Sequence, residues 1–217
     1  MADTTEQRVM MVDTQIRPSD VTKFPIIDAM LTVKREDFVP SASRMTAYMD
    51  GPVPLSNGRS MLEPRVFAKL LDFLDVQPDE LVLDLGSGLG YSAAVLSRLA
   101  QAVVAVEEDE ALAAEAESQL SAAEADNVAV ITGALVDGAQ KHGPYDVIVL
   151  QGAVSAIPTN LIEQLKDGGR IAAIFMDGAL GTCRIGFMNA GSVTWRDVFN
   201  ATADILPGFE AVEEFQL

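Results

Sequence analysis

The sequence is poor in the residue types that most often build reactive centres. Among 217 residues there is one cysteine, Cys183, one histidine, His142, and one tryptophan. A single cysteine excludes an internal disulfide framework and suits a reducing, cytoplasmic location. One cysteine and one histidine are too few for a His/Cys metal site, and no metal is expected. Neither residue stands in a motif for a Cys–His nucleophilic pair. Basic residues are also scarce, with 15 Lys and Arg against 32 Asp and Glu and a formal charge of −17. Nucleic-acid binding depends on Lys and Arg neutralising phosphates, so no nucleic-acid partner is expected. No apolar stretch approaches the ~20 residues of a membrane span. The polar opening, MADTTEQRV, lacks the apolar region of a signal peptide, so neither membrane nor export is expected.

What the chain does have is apolar material, 49% of residues, enough for a sizeable core. The length suits one α/β domain with an extension. The organising stretch is Leu81 to Ala100, LVLDLGSGLGYSAAVLSRLA. Leu81-Val82-Leu83 is an apolar run of the kind that fills a buried parallel strand. Gly86, Gly88 and Gly90 follow, permitting backbone conformations closed to other residues. Ser92 to Ala100 then reads as a helix. Strand, glycine turn and helix open a nucleotide-binding βαβ unit.

The ligand class follows from the glycine spacing. The dinucleotide fingerprint G-x-G-x-x-G needs a glycine at position 91, where Tyr91 stands, so that fingerprint fails. The glycines instead alternate, G-x-G-x-G, with Asp84 two residues ahead. This arrangement resembles motif I of the class I S-adenosylmethionine-dependent methyltransferases, which implies S-adenosylmethionine as cofactor. A ligand without phosphates needs room beside the backbone and a carboxylate for its amino group, and Asp84 is suitably placed. Ala102 to Val106 is a second apolar run, ending in Glu107, 21 residues after Gly86. That is the spacing at which an acid ends the second strand and accepts both ribose hydroxyls. Glu108 and Asp109 read as solvated.

Elsewhere, Gln7 to Gln15 and Pro25 to Leu31 read as helices, and Glu63 to Leu74 as a third, with Val66, Phe67, Leu70, Leu71 and Leu74 on one face. Tyr48 to Arg59, YMDGPVPLSNGR, reads as loop. Ala111 to Ala125 is an acidic, alanine-rich helix. Val128 to Thr132, Val147 to Leu150 and Ile171 to Phe175 read as strands three to five, with a helix at Asn160 to Leu165. Thr182 to Met188, Val193 to Val198 and Val212 to Phe215 read as closing strands, partly antiparallel. The pattern predicts an α/β, doubly wound, mostly parallel Rossmann-like sheet with an N-terminal helical extension. Residues 1–78 would form the helices and substrate loop and 79–217 the cofactor-binding core, packed as one compact unit. The helices and the Tyr48–Pro64 loop are expected to cover the cofactor cleft.

Longer segments sharpen the resemblance. RVMMVDTQIRPSDV, AMLTVKREDFVP, AYMDGPVPL and NGRSMLEP precede motif I, and YDVIV and LIEQLKDGGRIAAI follow it. In order and spacing these are similar to the protein-L-isoaspartate O-methyltransferases, from about Arg8 to Ile174. The tail from Met176 onward is only loosely similar. The resemblance implies methylation of a carboxylate, on isoaspartyl residues of damaged proteins or on a smaller acid. It carries cofactor contacts onto Asp84, Gly86, Ser87, Gly88, Gly90 and Glu107. Three departures stand out. The serine that the family uses near the reacting carboxylate falls on Leu62, leaving Ser60 as the nearest hydroxyl. Gly133-Ala134-Leu135 replaces Gly-Asp-Gly, so Ala134 stands where an Asp reaches the adenine amino group, with Asp137 three residues on. Gln151-Gly152-Ala153 replaces Thr-Ala-Ala, putting Gln151 at the cofactor's edge.

Arg59 occupies the glutamine position of the same loop and is expected, with Ser60, to meet the substrate carboxylate, the alternative being a solvated loop arginine. Two functional readings remain open at this point: an O-methyltransferase for carboxylates, and a cofactor-binding protein with weak or no isoaspartyl activity. A small-molecule O-methyltransferase is a third, with no base marked by the lone His142.

Overall fold

The structure is a computed structural model and describes residues 4–211. The chain begins with α1 (Thr5–Met11), which runs into a π turn at Val12–Ile16, and α2 (Phe24–Thr32). A hairpin of two short strands follows, β1 (Val53–Pro54) and β2 (Ser60–Met61). Then come α3 (Pro64–Leu74), β3 (Leu81–Leu85), α4 (Tyr91–Leu96), β4 (Ala102–Glu107), α5 (Glu110–Ala122) and β5 (Val128–Thr132). The last elements are β6 (Tyr145–Val154), α6 (Thr159–Ile162), β7 (Leu165–Asp177), β8 (Leu180–Asn189) and β9 (Ser192–Asn200).

Seven strands form one sheet in the order β5-β4-β3-β6-β7-β8-β9. The first five of these are parallel to their neighbours, and β8 and β9 close the sheet antiparallel. Chain direction across the sheet reverses between β3 and β6. In such sheets ligands bind at that switch point, beyond the carboxyl ends of the strands.

Alternation along each strand divides the core in two. Val82, Val103, Ala105, Val147 and Val149 face the N-terminal helices, α4 and α5. Leu83, Leu85, Val104, Val106, Ile148 and Leu150 face the opposite layer, with Leu161, Leu206 and Phe209. Both faces are covered, which is why these strands read as continuous apolar runs. Asp84 shares the face of Val82, the side of the N-terminal helices. The apolar cluster on that side is continuous from Met11 to Ala201.

Several elements depart from the sequence reading. The Tyr48–Arg59 loop contains β1, and Ser60 pairs with Pro54 across the hairpin. The helix expected to reach Ala100 ends at Leu96, where Ser97 turns its hydroxyl onto the Ala94 carbonyl (2.7 Å). β6 and β7 extend well beyond their apolar centres, because each is paired on both sides. The expected strand at Val212 to Phe215 lies outside the described residues. Before that point the chain runs back along the end of β6: Ala153 N–H donates to Asp204 O, Leu206 N–H to Ala153 O and Ser155 N–H to Phe209 O, each at 2.8 Å. This strap, 201–209, brings Leu206 over the switch point.

Candidate active site

β3 ends at Leu85, and the chain turns through Gly86 to Gly90 into α4. Gly86, Gly88 and Gly90 all have positive φ, of 79°, 57° and 94°. A side chain at any of them would be strained. Their surroundings differ. Gly90 lets α5 approach, since a Cβ there would lie 3.2 Å from Leu120 and 3.3 Å from Ala116. The contact it makes in this structure is packing. Gly86 and Gly88 face the cleft.

Asp84 is fully buried. Its carboxylate accepts from Ser92 Oγ at 2.6 Å and from Gln151 Nε2 at 2.7 Å. Burial pushes its pKa up to about 7; the Glu107 charge adds to the rise and the two donors oppose it. Gln151, read from the sequence as a cofactor contact, is thus turned onto Asp84.

Glu107 ends β4 and is also fully buried. All its acceptor capacity is used within the chain. Oε2 accepts from Gly88 N–H at 2.7 Å and Arg59 Nη2 at 3.0 Å. Oε1 accepts from Asp109 N–H at 3.1 Å and from Arg59 Nη1. The guanidinium is bidentate on the carboxylate, the strongest pairing geometry available to these side chains. Arg59 Nη2 also donates to Gly86 O at 2.9 Å.

The hairpin explains why Arg59 arrives there. Its tip is docked on the start of α5: Ser56 Oγ and Asn57 Nδ2 donate to Asp109 Oδ2 at 3.1 and 3.0 Å. Asp109 in turn caps the helix, accepting from Ala111 N–H and Leu112 N–H. Asp109, read from the sequence as solvated, is therefore the anchor of the hairpin. Those hydrogen bonds hold its pKa down, with the Ser56 hydroxyl assisting the backbone donors. The expectation that this loop covers the glycine turn holds: Leu55 reaches to 2.8 Å from a Cβ built on Gly88.

The Arg59 guanidinium, expected to meet a substrate carboxylate, is 6% exposed and is paired with Glu107 in this structure. Ser60 is half-buried and, with Leu62, borders a groove of ≈ 290 Å³ between the hairpin and Thr202 to Asp204. Ser87 is buried, and its Oγ has no partner among the described residues. Ala134 is exposed and begins the turn Leu135–Asp137; Asp137 is exposed as well. Neither supplies an acceptor from within the core. On that edge Leu135 and Leu206 close on Gly86 instead, at 3.6 and 3.1 Å from a built Cβ.

Three residues gain importance that the sequence reading did not assign. Leu206 had no local signal, being one leucine in an irregular tail. Leu55 stood in a loop. Arg35, inside the quoted REDFVP, stands between Lys34 and Glu36, and nothing local marked it for burial. It is fully buried, lies 4.8 Å over the Tyr91 ring, and has no carboxylate partner among the described residues; Nη1 is unpaired. Burial lowers its pKa. Arg35, Ser87, Tyr91, Leu62 and Gln151 surround a remnant cavity of only ≈ 10 Å³. Among the described residues no group of His, Cys, Asp and Glu could hold a metal. No helix there is long and apolar enough to cross a membrane.

A switch-point cleft between an acid on β3 and an acid ending β4, on this strand order, defines the class I methyltransferase fold. The model of the family described as protein-L-isoaspartate(D-aspartate) O-methyltransferase matches residues 6–176. The chain belongs to that family. It is 39% identical over 166 residues to the protein-L-isoaspartate O-methyltransferase of Methanoregula boonei, covering 76% of each chain. With that of Koribacter versatilis it is 37% identical over 164 residues, covering 76% of this chain and 74% of the relative. Two solved structures share the fold. One, a protein-L-isoaspartate O-methyltransferase, has a TM-score of 0.79 at 21% identity, over 94% of this chain and 65% of that one. The other is a putative member from Plasmodium falciparum in complex with S-adenosyl-L-homocysteine. It has a TM-score of 0.80 at 18% identity, over 92% and 97%.

Proposed function

We propose that this chain is an S-adenosylmethionine-dependent O-methyltransferase whose acceptor is a carboxylate, on isoaspartyl residues of proteins or on a related acid. The observation that carries this reading is the pair Asp84 and Glu107, at the carboxyl ends of adjacent parallel strands on either side of a glycine turn. Asp84 would hold the amino group of the cofactor, Glu107 its ribose hydroxyls, and Gly86, Ser87 and Gly88 the backbone approach. When bound, S-adenosylmethionine supplies a methyl group already activated by its sulfonium.

The chain then needs little reactive apparatus. An acceptor carboxylate is ionised at neutral pH, its ordinary pKa being about 4. No general base is required, which fits a site without histidine. The work left to the chain is to align the acceptor oxygen and exclude water from it. The groove beside Ser60 supports that role, with the Ser60 hydroxyl as the donor to the acceptor. The charge of −17 supports a reading without a nucleic-acid partner. A cytoplasmic location is supported by a lone, buried Cys183 thiol, its pKa pushed up to about 12 by burial.

The test is transfer of labelled methyl from S-adenosylmethionine to an isoaspartyl peptide and, in parallel, to its aspartyl counterpart. Label in the isoaspartyl peptide alone is the expected result. Leu62, in place of a serine, favours a second reading, cofactor binding with little transfer. Saturable binding without label in either peptide would select it.

A further inference from the structure

The cleft that the family reading assigns to the cofactor is filled by the chain itself. Glu107, the acid that the family reading places at the ribose hydroxyls, already accepts four hydrogen bonds, two of them from Arg59. Leu206 fills the space over Gly86 and Gly152: a Cβ built on either would lie 3.1 and 2.7 Å from it. Leu55 does the same over Gly88, at 2.8 Å. What remains beside the glycine turn is a cavity of ≈ 10 Å³. That is room for about one water, against the roughly 300 Å³ or more of ordinary cofactor sites. The residues match the cofactor in chemistry and exclude it in space.

Two separate chain segments produce the closure. Arg59 comes from the hairpin, held by Ser56 and Asn57 on Asp109. Leu206 comes from the strap, held by hydrogen bonds to Ala153. The adenine edge offers little to drive them out, because Ala134 has no acceptor side chain.

We propose that Arg59 and Leu206 are a two-part lock on the cofactor cleft, and that nucleoside binding requires the Arg59–Glu107 pair to break. The proposal rests on the cofactor reading above. Apparent affinity is then the intrinsic affinity reduced by the fraction of molecules that are open. Arg59 is a specificity-determining residue in this account: it competes with the ribose for one carboxylate.

The experiment is calorimetric titration of S-adenosylhomocysteine into the full chain and into Arg59→Gln, Arg59→Lys, Leu206→Ala and the Arg59→Gln/Leu206→Ala double variant. Thermal unfolding of each is measured in parallel. Arg59→Gln is expected to bind tighter than the wild type; if a tenth or less of the molecules are open, releasing both parts in the double variant tightens binding at least about tenfold. Leu206→Ala is expected to tighten binding less, and the double variant most. Arg59→Lys, which keeps the charge and loses the bidentate fit, is expected to fall between wild type and Arg59→Gln. A merely structural arginine would lower the melting temperature in Arg59→Gln and leave affinity unchanged or weaker. Equal, tight binding by wild type and Arg59→Gln would overturn the lock and leave the methyltransferase reading standing. Folded variants that all fail to bind would overturn both.

Discussion

Arg35 donates from Nη2 to the carbonyl oxygen of Leu62 at 2.8 Å, and from Nε to that of Ala47 at the same distance. One buried guanidinium thereby ties the end of the N-terminal helical segment to Leu62, the residue that follows β2. Tyr91, at the start of α4, supports it from below, 4.8 Å from its ring centre. The hairpin is tied down by a cation that no carboxylate among the described residues neutralises.

Removing that cation should therefore loosen the hairpin more than it disturbs the sheet. Arg35→Met fills similar volume and leaves two buried carbonyls without donors, at about 1–3 kcal/mol each. We expect it to lower unfolding free energy by about 2–6 kcal/mol in urea titrations. Arg35→Lys should recover only part of the loss, because one ammonium lacks the planar fork that reaches both carbonyls.

Asp84 gives a pH dependence with a definite sign. Burial raises its pKa from 3.8 to about 7. Between those values the folded chain holds a proton that the unfolded chain has released. Its contribution to stability is complete below the unfolded value and is lost as pH rises through about 7. Asp146 works the other way, its pKa held below normal chiefly by the Leu81 N–H and Lys166, against a burial effect that raises it. The measurement is therefore a difference. Wild-type stability minus that of Asp84→Asn should fall between about pH 4 and about pH 7 and level off above. A flat difference would mean that Asp84 is ionised throughout. Cofactor binding should show the complementary trend, since a bound ammonium favours the ionised carboxylate.

Most of the sheet was legible because its signal is local. LVLDL, AVVAV and VAVIT are short apolar runs, and β3, β4 and β5 fall on them within a residue or two. Asp84 and Glu107 were legible for the same reason, as acids at fixed offsets from glycines and strand ends. What the sequence hid is tertiary. Nothing near Arg59 signals a partner 48 residues away, so a loop arginine read as free for a substrate. The two-residue ladders of β1 and β2 are too short to show a period among prolines and glycines. Leu206 plugs the cleft from an irregular segment where no helical or strand pattern marks a buried face. The third glycine of the alternating motif was legible as necessary, though its partner is a helix and not a ligand.

That last distinction can be tested. Gly90→Ala adds a methyl at φ 94°, within 3.3 Å of Ala116 and Leu120 on α5. Left-handed strain and overpacking together should lower stability by about 1–3 kcal/mol. Gly51→Ala, whose Cβ would meet nothing within 4 Å, serves as the comparison and should stay within about 0.5 kcal/mol of wild type. Thermal unfolding of the two variants reads the difference directly. If Gly90→Ala matches Gly51→Ala, α5 has room to shift and the close approach is not what selects glycine.

The remaining prediction concerns Leu62, whose side chain is 5% exposed and stands where the family carries a serine. It separates the groove beside Ser60 from the small cavity under Arg35. Leucine donates nothing to an acceptor carboxylate, and a missing donor to a buried polar group costs about 1–3 kcal/mol. At 1.36 kcal/mol per tenfold in rate, Leu62→Ser should raise kcat/KM for an isoaspartyl peptide by about tenfold or more. Ser60→Ala in the wild type should lower what activity there is, since Ser60 is the hydroxyl that the hairpin brings to that groove. The substitution at Leu62 also opens a cavity and should lower stability, by analogy with other large-to-small core changes, by about 2–5 kcal/mol. Assays therefore belong well below the melting temperature of the variant. The placement of Arg59 fixes the sign of a second substitution in the same assay: Arg59→Gln should increase transfer, because it frees Glu107. A decrease there, with Leu62→Ser inert, would mean that Arg59 leaves Glu107 in the working state and meets the acceptor carboxylate itself.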